Sequence, residues 1–292
     1  MAALLLIALA SASLASALAQ ECDPSLALRN LEGFINSAGG FVSSKVALQD
    51  APHMGRGFFA TADLPKGFEF IRIPLGMVIT PALAIHEFPD MHPVSDIDAL
   101  ANFVQLHMTQ RAKSRYHAYV LALPEQVPVG FMRAESELRA RLPMNDAVAA
   151  AQMKRDIVRR GAQLGDADLY AERVSVIHSR VFVVRALDRE RNEWVPSPAL
   201  VPGVDFLNLS EQPNVDCETD EASQFFGCRT LVPVSRGQQL FAPYGQKFTS
   251  AAERDAFTLM HYGFDSADEP LASAQGTCIN YLAHQARIVK KS

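Results

Sequence analysis

Two β-type stretches on either side of a helical block of about eighty residues constrain this chain more than any other feature. Before residue 96 lie three short runs rich in branched and aromatic side chains, "FVSSKVAL", "GFFAT" and "FEFIRIP". Pro65 and Gly67 in "DLPKG" supply the turn between the last two. From Asp96 to about Val184 the spacing becomes helical. There Leu100, Phe103, Val104 and His107 share one face, and "NDAVAAAQMKRDIVRR" opens on a cap and continues rich in alanine. After Asn192 strand and turn signals return in "NVDCET", "QFFGCRTLVPV" and "QQLFAPYG". Flanking helices are predicted from Pro24, with Leu31, Phe34 and Ile35 on one face and Gly39-Gly40 as the stop, and over "SAAERDAFTLM". The pattern predicts an α+β chain in which one β-rich domain is split by a helical insertion.

The first nineteen residues carry no charged side chain, and Ala17-Leu18-Ala19 fits cleavage before Gln20. A signal peptide over 1–19 is therefore expected, with an uncleaved anchor as the alternative; Ser11, Ser13 and Ser16 dilute that segment for spanning a bilayer. The remaining chain divides into 20–95, the first part of the β domain; 96–178, the insertion and the approach to the second part; 179–267, that second part; and a tail, 268–292. Entry into the secretory pathway is expected, and after leader cleavage no further segment is apolar enough to hold a membrane. Where plastids are reached through the endoplasmic reticulum, the same leader would be the first half of a plastid address. At 49% hydrophobic the chain can build a core, and a net charge of −5 without any Lys/Arg block argues against a nucleic-acid surface.

Cys22, Cys217, Cys228 and Cys278 have no C-x-x-C spacing, so no structural zinc site is expected, and none of the eight histidines form an i, i+4 ligand pair. Cys217 and Cys228 flank a polar hairpin and are either bridged or two buried thiols.

Taken singly, the remaining candidates have ordinary explanations. Gly55-Arg56-Gly57 reads as a tight turn with a solvated arginine, and lacks the third glycine of a dinucleotide fingerprint. Arg180 sits in the apolar run "VSVIHSRVFVV", where a guanidinium needs an anionic partner such as Asp205. Tyr244 and Tyr262 both precede glycine and could simply pack half-buried. Asn208-Leu209-Ser210, in "GVDFLNLSEQPN", is an N-glycosylation sequon placed at the entrance to an apolar stretch.

The order of these pieces carries more than any one of them. "GRGFFATADLPKGFEFIRIP", "HSRVF", "LVPGVDFLNLSEQPNV", "FAPYGQKF" and "HYGF", with a helical insert in the gap, resemble a SET-domain protein methyltransferase. The closest resemblance is to the branch containing the RuBisCO large-subunit lysine methyltransferases, from about Lys45 to Asp265. The resemblance implies a β-rich SET fold with a pseudoknot, S-adenosylmethionine as cofactor, and a protein substrate presenting a lysine to a monomeric enzyme. It implies that Gly55, Arg56, Gly57, Arg180, Asp205, Asn208, Leu209 and Phe264 surround the cofactor, with Arg180 on its carboxylate and Phe264 on its adenine. Tyr244 matches the catalytic tyrosine and Tyr262 its helper. Asn208 would then face the cofactor, out of reach of a glycosyltransferase. Leucine stands at 209 where the family has histidine, and the chain between Tyr244 and Tyr262 is longer than the family pattern. The C-terminal substrate-gripping domain of larger members is expected to be missing. Two further readings follow: a SET fold that binds peptide without turnover, and a methyltransferase acting on histidine.

Overall fold

The computed structural model describes residues 24–51, 54–110, 113–124, 126–243 and 248–264. The leader, Cys22, Tyr244, Cys278 and the tail 268–292 lie outside the described residues. Helix α1 (Pro24–Ser37) buries Leu31 and Ile35 and leads into β1 (Phe41–Val42), β2 (Val46–Ala51), β3 (Gly55–Ala60) and β4 (Glu69–Pro74). The helical block then runs through α2 (Pro81–Glu87), α3 (Asp96–Gln110), α4 (His117–Ala122), α5 (Glu135–Arg141), α6 (Met144–Gln163) and α7 (Ala167–His178). After it come β5 (Phe182–Asp188), β6 (Glu193–Ala199), β7 (Asn208–Ser210), β8 (Val215–Asp220), β9 (Phe225–Thr230), β10 (Phe241–Pro243) and α8 (Ala251–Tyr262). Among the described residues no helix is long and apolar enough to cross a membrane.

Strands from both sides of the helical block share one antiparallel sheet, in the order β1-β4-β9-β8. Ile71 of β4 faces Cys228 of β9, and both are fully buried. The two halves therefore build one core, as a split domain requires. Gln238 and Leu240, just before β10, exchange backbone hydrogen bonds with β3, and β10 then pairs in parallel with β7, Phe241 opposite Asn208. Asn214 holds this crossing from the side: its Nδ2 donates to the Gln239 carbonyl (2.8 Å) and its Oδ1 accepts from Phe241 N (2.7 Å).

The helical pattern was expected to reach Val184, but β5 starts at Phe182 and makes a hairpin with β6. A short apolar run such as "VFVVRALD" does not separate strand from buried helix by periodicity. Cys217 and Cys228 are bridged; they lie opposite each other on β8 and β9 with Cα atoms 4.1 Å apart.

Inside the insertion, Leu100, Phe103, Val104 and His107 are buried as their spacing predicts. Asp98, 1% exposed, ties three of its helices together. Its Oδ1 accepts from Tyr170 of α7 (2.6 Å) and Asn102 (3.0 Å), and its Oδ2 accepts from Val94 N (2.8 Å) and Arg160 Nε of α6 (3.1 Å). Every lone-pair direction is occupied, as a buried carboxylate demands.

Candidate active site

A cavity of about 630 Å³ opens where β3, the segment following α7 and β7 converge, with Tyr262 and Phe264 on its wall. Phe206, on the short 3-10 turn Val204–Phe206, contacts two guanidinium groups. Arg180 lies 4.5 Å and Arg56 5.0 Å from its ring centroid, both as cation–π contacts. The Arg180 Nη1 donates to the backbone carbonyl of Asp205 (2.8 Å), while its buried Nε has no hydrogen-bond partner. The anticipated pairing of Arg180 with Asp205 thus runs through the main chain, leaving the carboxylate for other use.

Arg56 is not the solvated turn arginine its glycine neighbours imply. Its side chain is half-buried, and Nη2 donates to the carbonyl of Ala122 (2.5 Å), the last residue of α4. A cation at a helix C-terminus is favourable. Burial first, and then the nearby Arg180, lowers its pKa to about 10, so it remains charged at neutral pH. Sequence reasoning could not see this, because Phe206 and Ala122 are both remote from residue 56.

Asp205 is the buried anion of the site. Its Oδ2 accepts from Tyr119 of α4 (2.6 Å), and its Oδ1 has no hydrogen-bond partner. Burial pushes its pKa up to about 6, against the opposing pull of Arg180, the Tyr119 hydroxyl and the backbone amides of Gly203 and Asp205. His178, two residues before Arg180, is driven down to about 4 by burial and then by His261, so it adds no charge.

Asn208 has a buried Nδ2 without a partner. This is the atom to which a glycan would be attached, so the folded sequon is closed to modification. Gly57 explains how the amide fits: a Cβ there would fall 2.7 Å from Asn208 Nδ2, and the Gln239 side chain is closer still. Gly57 thus makes room for side chains rather than for a ligand, whereas Gly55, with φ of 71° and open space beside it, faces the cavity. Leu209 pairs with Ala242 of β10 and packs half-buried against the core, also lining the cavity.

On the far wall, Gly263 ends α8 in the left-handed region (φ 83°), its amide bonded to Thr258 O (2.9 Å), and the Pro128 backbone leaves no space for a Cβ. This cap sets Tyr262 and Phe264 with ring centroids 6.4 Å apart. Of the expected site residues, Gly55, Arg56, Arg180, Asp205, Asn208, Leu209, Tyr262 and Phe264 all line the cavity. Tyr244 follows Pro243 on the cavity wall but lies outside the described residues. Tyr119 was not anticipated at all.

The strand arrangement, the split by helices and the crossing of β7 with β10 define a SET fold. The SET domain profile matches residues 55–245, and the chain belongs to the SET-domain family. No curated protein matches it in sequence. Among solved structures it is similar to the SET domain of LSMT bound to lysine and AdoHcy, with a TM-score of 0.65, 15% identity, and coverage of 83% of this chain and 58% of that one. It is likewise similar to Rubisco LSMT bound to AdoMet, with a TM-score of 0.61, 16% identity, and coverage of 83% and 57%. The chain spans somewhat more than half the length of these proteins, and the likeness is one of fold.

Proposed function

We propose that the protein is an S-adenosylmethionine-dependent protein-lysine N-methyltransferase acting on a non-histone protein. One observation carries the cofactor: Arg180, Asp205 and Asn208 all line the cavity, and each keeps a buried polar atom without a partner, Nε, Oδ1 and Nδ2 respectively. Two are donors and one is an anionic acceptor, so the ligand that completes them carries both an anionic group and a cationic donor. The amino-acid end of S-adenosylmethionine has that character. Arg180 would hold its carboxylate and Asp205 its ammonium group. Phe264 offers an aromatic face for the adenine.

When bound, the cofactor supplies an electrophilic methyl group on a sulfonium. The protein's part is to align and desolvate the accepting amine, which must be neutral although free lysine has a pKa near 10.4. An apolar wall favours the uncharged amine. Tyr262 and the neighbouring carbonyls of β10 can orient its hydrogen atoms, and Tyr244 is assigned the role of holding the amine in line. The two LSMT structures, one with lysine and AdoHcy and one with AdoMet, are consistent with this reading.

Incubating the purified protein with methyl-labelled S-adenosylmethionine and a lysate of its own organism tests the activity. Tyr244→Phe should then lower transfer by about a hundred- to thousand-fold with little change in cofactor affinity. Full methylation by this variant would remove Tyr244 from the catalytic role. A second reading, peptide binding without turnover, draws on Leu209 in place of the family's histidine. It prevails if the cofactor fails to raise the melting temperature and nothing is methylated.

A further inference from the structure

Asp205 is held from an element outside the SET strands. Tyr119 belongs to α4, within the helical insertion, and is fully buried. A phenylalanine would fill the same core volume, and a buried hydroxyl is costly unless it is bonded. Its hydroxyl donates to Asp205 Oδ2, at 2.6 Å and 86 residues away in the chain. The same helix is anchored at its other end, where Ala122 O accepts from Arg56 of β3. Short as it is, α4 is thus fastened to two charged residues of the cavity.

We propose that Tyr119 is a positioning residue for the ligand site: its hydroxyl fixes Oδ2 of Asp205, leaving Oδ1 directed at the ligand's ammonium group. This inference rests on the cofactor reading above and assigns the insertion a share in ligand recognition.

The groups that face Asp205 are few. Arg180 approaches from the segment after α7 and Arg56 from β3, with Asp50 beside Arg56. Tyr119 approaches from α4, with Tyr116 beyond it. Burial raises the Asp205 pKa to about 6, and Arg180, the Tyr119 hydroxyl and the Gly203 and Asp205 backbone amides oppose that rise. The carboxylate is ionised above this pKa, so affinity for an ammonium ligand increases as pH rises through it. Removing the Tyr119 hydroxyl withdraws more stabilisation from the charged form than from the neutral acid. The rising limb then moves to higher pH, by about one to two pH units for a hydrogen bond to a charged group.

The test is calorimetric titration between pH 5 and 8.5 with two probes. S-adenosylhomocysteine carries the amino-acid end, and 5′-methylthioadenosine lacks it. Tyr119→Phe should bind the first about three- to twenty-fold more weakly at pH 6.5 and recover toward the unaltered protein at pH 8.5. It should bind the second as the unaltered protein does at every pH. Asp205→Asn should abolish the limb, and adding Tyr119→Phe to it should change affinity by less than about two-fold. Equal weakening for both probes at all pH values would mean a merely structural tyrosine and overturn the proposal. So would an unshifted limb, or the absence of any limb near pH 6. If the unaltered protein binds no S-adenosylhomocysteine at all, the cofactor reading itself falls, and this inference falls with it.

Discussion

Asp98 in the helical insertion and Asp205 beneath the cavity are 1% and 5% exposed, yet their surroundings differ in one respect. Both oxygens of Asp98 accept hydrogen bonds from groups on α3, α6 and α7 and the loop before α3. Asp205 has a tyrosine on one oxygen and no side chain on the other, with only the Gly203 and Asp205 backbone amides near its carboxylate. The first region uses a buried charge to close helices on one another. The second leaves a buried charge incompletely bonded in a residue that lines the cavity, which lowers stability unless a ligand completes it. A satisfied carboxylate marks scaffold, and an unsatisfied one marks a site.

The largest effect should come from breaking the closed network. Asp98→Ala strands Arg160 and the Tyr170 hydroxyl, and should cost about 3–5 kcal/mol of unfolding free energy in denaturant titration. A loss below about 1 kcal/mol would remove the contrast. Tyr170→Phe takes one donor from the same carboxylate and should cost about 1.5–3 kcal/mol. Asp205→Asn should act in the opposite direction. Its folded pKa, about 6, exceeds the ordinary carboxylate value, so the folded state binds the extra proton between the two. Stability from this group is present at low pH and is lost as pH rises through about 6. The asparagine variant should therefore be more stable than the unaltered protein at pH 7.5 by about 1–2 kcal/mol, with the advantage shrinking as pH falls toward 4. Destabilisation at pH 7.5 would show that Asp205 belongs with Asp98. The smallest effect concerns Asn208: intact-mass analysis of protein secreted from a eukaryotic host should show no glycan there. A glycan would mean that Nδ2 is reachable, contrary to its burial.

Much of this architecture is legible from the order of residues. Strand runs, the turn at Pro65 and Gly67, and the apolar face of α3 follow from local periodicity and turn chemistry. The resemblance to SET domains also pointed to eight residues that line the cavity, since these lie in short contiguous stretches. What escaped is non-local. Tyr119 meets Asp205 across 86 residues, and Asp98 meets Arg160 and Tyr170 across 62 and 72. Arg56, flanked by glycines, gave no local sign of Phe206 or of the Ala122 carbonyl. Gly57 suited a close approach, but the approaching groups are Asn208 and Gln239. Start of β5 was hidden because its apolar run has no diagnostic period.

The central claim is that the orphaned atoms around Phe206 hold the amino-acid end of S-adenosylmethionine, with Arg180 as the carboxylate partner. Arg180 has an unpaired Nε, whereas Arg56 already bonds Ala122 and repels its neighbour. Calorimetric titration of S-adenosylhomocysteine into Arg180→Ala and Arg56→Ala is the most direct measurement. The account predicts loss of more than about a hundred-fold in affinity for Arg180→Ala, as expected for removing one partner of a desolvated charge pair. For Arg56→Ala it predicts a change of about ten-fold or less, in a protein with a lower melting temperature because α4 has lost its anchor. Near-equal losses of affinity in the two variants would contradict it.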